Sequence, residues 1–329
     1  MNFSTSFKSQ LLQANAESFE RLALALFHWQ AHHNPIYRAY LFYLKVNPNE
    51  IDDFKQIPCL PIEFFKYHRV LSGGDSEVVQ IFESSGTTNQ VRSKHYVPDV
   101  AWYHQVCEAI FAQLWGKLQD YHIFALLPSY LERNNASLVS MTDHFIRESQ
   151  SPYSGFYLNN YQQLIDTVEK ARQTKGSVLL LGVTFALLDL AERYSLNWPE
   201  VIIMETGGMK GQRQELTRPE VHQILQEKLG IASVASEYGM TELLSQAYAY
   251  KLGRFTSPPW LKVIIRDIYD PFTYVKSGKQ GGINIIDLAN VDSCAFIETK
   301  DLGRVVSNNT FEVLGRYDNS EIRGCNLMI

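Results

Sequence analysis

The stretch SVLLLGVTFALLDLA, residues 177–191, joins an apolar run to a segment with helical spacing of apolar positions. Residues 177–183 have the length and composition of a buried strand, and residues 185–194 have the pattern of a helix packed on one face. A strand followed at once by a helix is typical of parallel α/β folds. The stretch is too short to cross a bilayer, and it contains Asp189.

The same alternation extends over the middle of the chain. Further runs of strand length are VVQIF, HIFALL, EVIIM and IASVAS, at residues 78–82, 122–127, 200–204 and 231–236. Helical patterns occupy residues 99–117, 161–172 and 212–229. The region around residues 16–33 is also predicted to be helical, whereas the sequence after residue 261 predicts short strands with glycine turns. We therefore predict an α/β fold with mixed β-sheets packed by helices, ending in a β-rich part.

Composition limits the classes of function. The chain has 329 residues with 30 basic and 35 acidic side chains, a net charge of −5, and no basic run. A nucleic-acid partner is therefore not expected. The N-terminus lacks a signal peptide pattern and no segment is long enough for a membrane span, so a cytoplasmic protein is predicted. The four cysteines are widely spaced, which predicts free thiols.

A stretch rich in hydroxyls follows the first apolar run. Residues 84–88, SSGTT, are followed by Arg92 and Lys94. Such a turn exposes backbone N–H groups and hydroxyls that suit an anion, although by itself it has the composition of an ordinary solvated turn. Neither the P-loop pattern nor GxGxxG occurs here.

Two more motifs follow predicted strands. METGGMKG, residues 204–211, places Gly207 and Gly208 where α/β folds bind ligands, or simply turns the chain. SEYGMTELLSQAY, residues 236–248, offers the ring of Tyr238 for stacking. Thr241 and Glu242 are predicted to begin a helix, where they suit phosphate and Mg²⁺, or act only as the helix cap and first-turn acid.

Two motifs lie in the β-rich part. In ETKDLGRVV, Asp301 is predicted to occupy a turn before Gly303, where its carboxylate would accept ribose hydroxyls or form an Asx-turn. In LGRYDNSEIRGCN, Arg316 would bind sugar or phosphate oxygens, or form an ordinary surface ion pair.

The order of these motifs carries a family resemblance. SSGTT, YGMTE, KDLGR and GRYD resemble, in sequence and succession, the phosphate, adenine, ribose and hinge motifs of the adenylate-forming superfamily. SSGTTNQVRSKH, ETGGMKGQRQEL, YGMTELLSQAY and SEIRGCNL resemble the LuxE-type acyl-protein synthetases, the ligase component of bacterial fatty-acid reductase. The resemblance extends from about residue 81 to the C-terminus.

The resemblance implies ATP and Mg²⁺ as cofactors and gives each motif a role. The hydroxyl-rich turn would wrap the ATP phosphates, with Lys94 nearby as a cation. Thr241 would contact the α-phosphate, Glu242 would hold Mg²⁺, and Cys325 would accept the acyl group. The remaining nucleotide-binding residues implied by the resemblance are Ser84, Ser85, Gly86, Thr87, Thr88, Gly207, Gly208, Tyr238, Gly239, Asp301 and Arg316.

The resemblance also predicts the domain organisation. We expect a catalytic domain over residues 1–315, with a mainly helical part at 1–75 and a β-rich part at 261–315. Residues 316–329 would be a hinge-like tail that carries Cys325. The superfamily's small C-terminal domain, with its assisting lysine, is expected to be missing or vestigial, so another cation or a partner would supply that charge.

Three functions remain open at this stage. The first is ATP-dependent activation of a carboxylic acid, fatty by resemblance, and transfer to Cys325 for delivery to an acyl reductase partner. The second sends the acyl group to coenzyme A or a carrier protein, as in ligases resembling phenylacetate–CoA ligase. The third is a nucleotide-binding protein with little turnover.

Overall fold

The computed structural model describes residues 3–74, 77–84, 91–128, 135–207, 216–276 and 278–316. The chain divides into two units, one formed by Met1–Ser76 with Pro259–Ile329 and the other by Glu77–Pro258. The predicted helical N-terminal part and the predicted β-rich part therefore fold together in the first unit. The predicted domain boundaries themselves stay a prediction.

The described part of the first unit combines four helices with antiparallel strands. The helices are α1 Phe3–Leu11, α2 Phe19–His33, α3 Pro35–Tyr43 and the short α4 Phe64–Tyr67. The strands are β1 Leu60–Pro61, β11 Leu261–Arg266, β12 Gly281–Asp287, β13 Phe296–Ser307 and β14 Thr310–Arg316. β11 to β14 pair in chain order as antiparallel neighbours, and β1 adds to β13 in parallel. The predicted helical start and β-rich end are both confirmed.

A buried glutamine ties helix α2 to the β12–β13 connection. The Gln30 side chain is fully buried. Its amide donates to the carbonyls of Asn290 at 2.8 Å and Val291 at 3.0 Å, and its oxygen accepts from the Ala295 N–H at 3.0 Å. These three bonds satisfy backbone groups in a connection that forms no ladder there. The first unit thus depends on a polar side chain in its core.

The second unit has the predicted α/β pattern. Its helices are α5 Val100–Trp115, α6 Ser137–Ser149, α7 Tyr161–Ala171, α8 Thr184–Arg193 and α9 Arg218–Leu229. Its strands are β2 Gln80–Glu83, β3 Lys94–Val97, β4 Tyr121–Leu126, β5 Gly155–Tyr157, β6 Ser177–Gly182, β7 Ile202–Glu205, β8 Val234–Tyr238, β9 Ala247–Ala249 and β10 Arg254–Thr256.

Parallel pairing forms the middle of this unit. The strand order is β10-β9-β8-β7-β6-β4-β5. β4 to β8 run parallel, while β9 pairs antiparallel with both β8 and β10. All residues of β4 are buried, as its continuous apolar run predicts for a strand covered on both faces. The carboxyl ends of β6, β7 and β8 therefore meet at one edge of the sheet.

The structure corrects the predicted pairing of residues 78–82 and the predicted start of helix α9. The run at residues 78–82 does not join the parallel series, because β2 pairs antiparallel with β3 in a separate two-stranded sheet. Helix α9 does not start near Gln212, because it begins at Arg218 behind a capping box between Thr217 and Glu220. That box satisfies N–H groups of the first turn and fixes where the helix begins.

Candidate nucleotide-binding site

The hairpin of β2 and β3 flanks the hydroxyl-rich turn. Glu83 lies opposite Lys94 at the end where residues 84–93 connect the two strands. The Ser84 N–H donates to the Ser93 carbonyl at 3.1 Å, and the Ser93 N–H donates to Ser84 Oγ at 3.0 Å. Ser84 and Ser93 are therefore joined by two hydrogen bonds just beyond the strand pair. The other predicted phosphate ligands, Ser85, Gly86, Thr87 and Thr88, lie outside the described residues.

Two cations stand at the same end of the hairpin. Lys94 Nζ lies 3.9 Å from Glu83 Oε1, and Arg92 Nη1 lies 3.6 Å from Glu83 Oε2. The Lys94 side chain keeps 46% of its accessible surface. Loose, exposed pairs of this kind contribute little to stability, so both cations can turn towards an anion at low cost.

The segment after β8 is a turn and not the predicted helix. β8 ends at Tyr238 and β9 begins at Ala247. Thr241 and Glu242 lie in a turn between them, so Thr241 is not a helix cap. The four residues that follow, 243–246, are all buried. A surface helix would expose part of every turn, so four consecutive buried residues favour an irregular, covered connection instead.

A buried histidine joins the hairpin to this turn. His95, on β3, has 1% of its surface exposed, and its Nδ1 lies 2.9 Å from the Thr241 carbonyl oxygen. Glu242 is 5% exposed. The structure therefore brings Lys94, Thr241 and Glu242 into one region of the second unit. His95 was not predicted as a site residue, although its place beside Lys94 in the quoted motif is a signal that could have marked it.

The predicted adenine-binding residues lie at the carboxyl ends of β7 and β8. Gly207 follows β7 with a φ of +75°, which favours glycine, and its N–H donates to Glu205 Oε2 at 2.9 Å. Tyr238 ends β8, and its ring centroid lies 5.7 Å from that of Phe255. A Cβ on Gly239 would lie 2.4 Å from Glu237 Oε1, so a larger residue there would require the Glu237 side chain to move. Gly208 lies outside the described residues.

Two glutamates near these residues were not predicted as site residues, Glu205, which is 4% exposed, and Glu237, which is partly exposed. Burial alone would raise the pKa of Glu205, but contacts with His222, Arg218, Ser236 and the Gly207 N–H lower it to about 2. Burial and then the negative charge of Glu205 raise the pKa of Glu237 to about 8. A charged residue at the end of an apolar strand is the signal that could have found both.

The predicted ribose ligands lie in the first unit. Asp301 does not occupy a turn, because β13 runs through it and the first register shift against β14 comes after it, between Leu302 and Gly303. Asp301 lies opposite Arg316 on β14, and its Oδ1 is 3.5 Å from Arg316 Nε. The two residues proposed to bind ribose thus form a cross-strand ion pair.

Within the described residues, Cys59, Cys107 and Cys294 are buried and form no disulfide. Burial raises the pKa of Cys294 to about 12, which makes its thiol a poor nucleophile at neutral pH. Cys325, the predicted acyl acceptor, lies outside the described residues.

The described part of the chain contains no cluster of three or more His, Cys, Asp or Glu side chains arranged to hold a metal ion. None of its helices is both long and apolar enough to cross a bilayer.

Comparison with solved structures identifies the class of fold. A 2-hydroxyisobutyryl-CoA ligase, solved in an open conformation with 2-HIB-AMP and CoA, matches with a TM-score of 0.69 at 13% identity, over 93% of this chain and 76% of that chain. ATP-bound MatB from Rhodopseudomonas palustris matches with a TM-score of 0.54 at 17% identity, over 75% and 49%. The chain has the fold of the adenylate-forming ligases, as predicted.

Sequence comparison shows which kind of ligase this chain resembles. Residues 3–106 match the family described as acyl-protein synthetase, LuxE. A long-chain-fatty-acid–luciferin-component ligase of Vibrio harveyi is 23% identical over 96% of this chain and 88% of that protein. The Aliivibrio fischeri protein of the same name is 22% identical over 99% and 91%. The predicted resemblance to the LuxE-type acyl-protein synthetases is confirmed, and the predicted enzyme class, a ligase, is that of these relatives.

Proposed function

We propose that this chain activates a carboxylic acid with ATP and passes the acyl group to a thiol. A carboxylate oxygen attacks the α-phosphorus of ATP, the bond to pyrophosphate breaks, and pyrophosphate leaves. A thiolate then attacks the carbonyl carbon of the acyl-adenylate and AMP leaves. A fatty acid is the proposed substrate, because the two sequence relatives are named as long-chain-fatty-acid ligases.

The hydrogen bond from His95 to the Thr241 carbonyl is the observation that best supports this function. It connects the hairpin that flanks the hydroxyl-rich turn to the turn that carries Thr241 and Glu242. Attack at phosphorus needs phosphate oxygens held in place and their charge neutralised. Lys94, the first residue of β3, offers a cation whose side chain is 46% exposed. The proposal therefore takes a cation from one motif and a carboxylate from another, on two segments that this hydrogen bond joins.

Glu242 is the proposed ligand for Mg²⁺. Its carboxylate is buried, and no larger ligand cluster lies among the described residues. That fits Mg²⁺ in nucleotide sites, where one or two carboxylates and the phosphates bind an ion that keeps several waters. The ion would neutralise phosphate charge. The other nucleotide contacts are proposed for Gly207, Tyr238 and Gly239, and separately for Asp301 and Arg316.

The final acceptor is proposed to be Cys325, two residues after Arg323, whose charge would favour the thiolate. A reductase that takes up the acyl group is the corresponding partner. Coenzyme A is the second candidate acceptor, because the structural neighbour with the TM-score of 0.69 was solved with CoA bound.

Pyrophosphate exchange into ATP tests the first step. Exchange should depend on the added acid, across a panel of short, medium and long saturated fatty acids and aromatic acids. If ATP binds but no acid of the panel supports exchange, the chain is a nucleotide-binding protein with little turnover.

Intact mass after incubation with ATP, Mg²⁺ and the best acid tests the second step. Wild type should gain one acyl group, and Cys325→Ser should gain none. If both stay unmodified while added CoA is acylated, CoA replaces Cys325 as the acceptor. Equal modification of both proteins would remove Cys325 from the mechanism.

A further inference from the structure

Glu205 holds the glycine turn that follows β7. Its side chain is 4% exposed. Oε2 accepts the Gly207 N–H at 2.9 Å and the Thr184 hydroxyl at 3.1 Å. Thr184 begins α8, and its own N–H donates to the Gly207 carbonyl at 2.9 Å. The backbone of Gly207 is therefore fixed on both sides, by a carboxylate and by the start of a helix.

Arg218 balances the charge of this carboxylate. It is the first residue of α9, and its Nε donates to Glu205 Oε1 at 3.2 Å. The low pKa of Glu205 keeps the carboxylate ionised at neutral pH. A buried carboxylate holds its geometry only when such a partner is present. The position of Arg218 therefore affects, through Glu205, how the backbone at Gly207 is held.

The same arginine contacts an aromatic pair on the other side. Its guanidinium carbon lies 5.1 Å from the centre of the Phe255 ring. Phe255 in turn lies against Tyr238, with ring centroids 5.7 Å apart. An arginine over an aromatic face is attracted to it and limits its movement. Arg218 is therefore in contact with the ring that supports Tyr238.

We infer that Arg218 is a positioning residue that holds Gly207 and Tyr238 in the relative arrangement required to bind adenine. This inference rests on the proposed function, which assigns the adenine to these two residues. Gly207 follows β7 by two residues and Tyr238 ends β8, the parallel neighbour of β7. The strand pairing aligns Glu205 with Ser236, and Arg218 adds a side-chain connection between the two ends. Arg218 reaches one through Glu205 and the other through Phe255.

A matched control exists in the same unit. Arg193 also lies over an aromatic ring, that of Tyr161, at the same distance of 5.1 Å. Arg193 is the last residue of α8, and neither Arg193 nor Tyr161 is among the predicted site residues. Arg218→Met and Arg193→Met remove the same charge and the same type of ring contact. Only Arg218→Met should weaken nucleotide binding.

The test measures pyrophosphate exchange together with AMP binding by calorimetry. Arg218→Met should raise the KM for ATP and the Kd for AMP about tenfold, with kcat and the KM for pyrophosphate near wild type. Arg218→Lys should recover part of the loss. A merely structural role would reduce the amount of active enzyme and therefore kcat, without changing the KM for ATP selectively.

Phe255→Leu keeps the contact between Arg218 and Glu205 and removes only the aromatic ring that Arg218 contacts. It therefore replaces Arg218→Met in the test if that variant does not fold. It should also raise the Kd for AMP severalfold. Unchanged Kd values in Phe255→Leu and in a folded Arg218 variant would overturn the inference while leaving the proposed function intact. If the wild-type protein binds no nucleotide, the proposed function is wrong, and the inference that rests on it is wrong as well.

Discussion

Asp301 and Arg316 lie directly opposite each other on β13 and β14, with Oδ1 3.5 Å from Nε. The carboxylate is mostly buried, with 13% of the side chain exposed, whereas the arginine keeps 49%. The pair is a poor source of stability, because one partner remains solvated. A ligand that offers two hydroxyls can therefore compete for the carboxylate.

The first prediction separates nucleotide binding from stability at this pair. Asp301→Asn should weaken AMP binding about tenfold, equivalent to roughly 1–2 kcal/mol for lost charge-assisted hydrogen bonds. Its thermal midpoint should stay close to wild type. Calorimetric titration with AMP and a thermal melt measure the two effects.

The same two strands supply the control. Arg304 and Glu312 are also cross-strand partners, with Nε 2.7 Å from Oε2. Glu312→Gln should lower stability slightly and leave AMP affinity unchanged. Equal loss of affinity in Asp301→Asn and Glu312→Gln would show that any disturbance of these strands matters, and the ribose assignment would fail.

The second prediction concerns Gln30, the buried amide of the first unit. Gln30→Leu keeps most of the volume but removes the partners of the Val291 carbonyl and the Ala295 N–H, whereas the Asn290 carbonyl still accepts the Ser293 N–H at 3.3 Å. Unsatisfied buried groups cost roughly 1–3 kcal/mol each, so the free energy of unfolding should fall by about 3 kcal/mol or more. Denaturant titration measures it.

Gln10 is exposed and bonds only within α1, which makes Gln10→Leu the matched substitution. It should change stability by less than about 0.5 kcal/mol. A Gln30→Leu protein as stable as the Gln10→Leu protein would mean that the connection finds other partners, and the role of Gln30 would be wrong.

The strands of the second unit were predictable because their sequence leaves few alternatives. The predicted strands at residues 122–127 and 177–183 differ from β4 and β6 by one residue at their ends. A continuous apolar run of this length, followed by a helical pattern, fits a buried parallel strand. The run at residues 78–82 is also mostly apolar, so the antiparallel partner of β2 could not be inferred from the run alone.

The predicted helix at Thr241 shows the limit of local patterns. A threonine followed by an acidic residue is typical of a helix start. Burial of residues 243–246 and the bond from His95 decide otherwise, and both depend on contacts distant in sequence. The contact between Glu205 and Arg218 could not be predicted for the same reason, because the two residues are 13 positions apart in the sequence. Residues within recognisable motifs could be named as candidates from the sequence, whereas residues brought together by tertiary contacts could not.

The third prediction uses the raised pKa of Glu237. In the unfolded chain this carboxyl loses its proton above about pH 4.5, whereas the folded protein keeps it up to about pH 8. The folded state therefore binds more protons in this window, and stability should fall as the pH rises. Glu237→Gln removes the titration, so its stability relative to wild type should increase between about pH 5 and pH 8.

Chemical denaturation at a series of pH values measures the difference. Glu227→Gln on the exposed side of α9 serves as the control and should track wild type at every pH. A Glu237→Gln protein whose stability runs parallel to wild type over the whole range would show that Glu237 ionises normally in the fold.

The fourth prediction tests Glu242 as the Mg²⁺ ligand. Glu242→Gln keeps the size of a side chain that is 5% exposed but removes its charge. Acid-dependent pyrophosphate exchange should fall on the order of 100-fold, because the Mg²⁺ that neutralises the phosphates would be held less tightly. Binding of AMP, which carries no β- or γ-phosphate, should change much less. Exchange measured across Mg²⁺ concentrations should show a higher requirement for the ion in the variant.

Glu227→Gln again controls for the loss of one negative charge in the same unit. A metal ligand predicts that high Mg²⁺ partly restores exchange in Glu242→Gln, whereas a purely structural carboxylate predicts equal loss at every Mg²⁺ concentration and a lower thermal midpoint. Full exchange activity in Glu242→Gln at low Mg²⁺ would remove Glu242 from the site. The metal would then have to be bound through the phosphates and other residues.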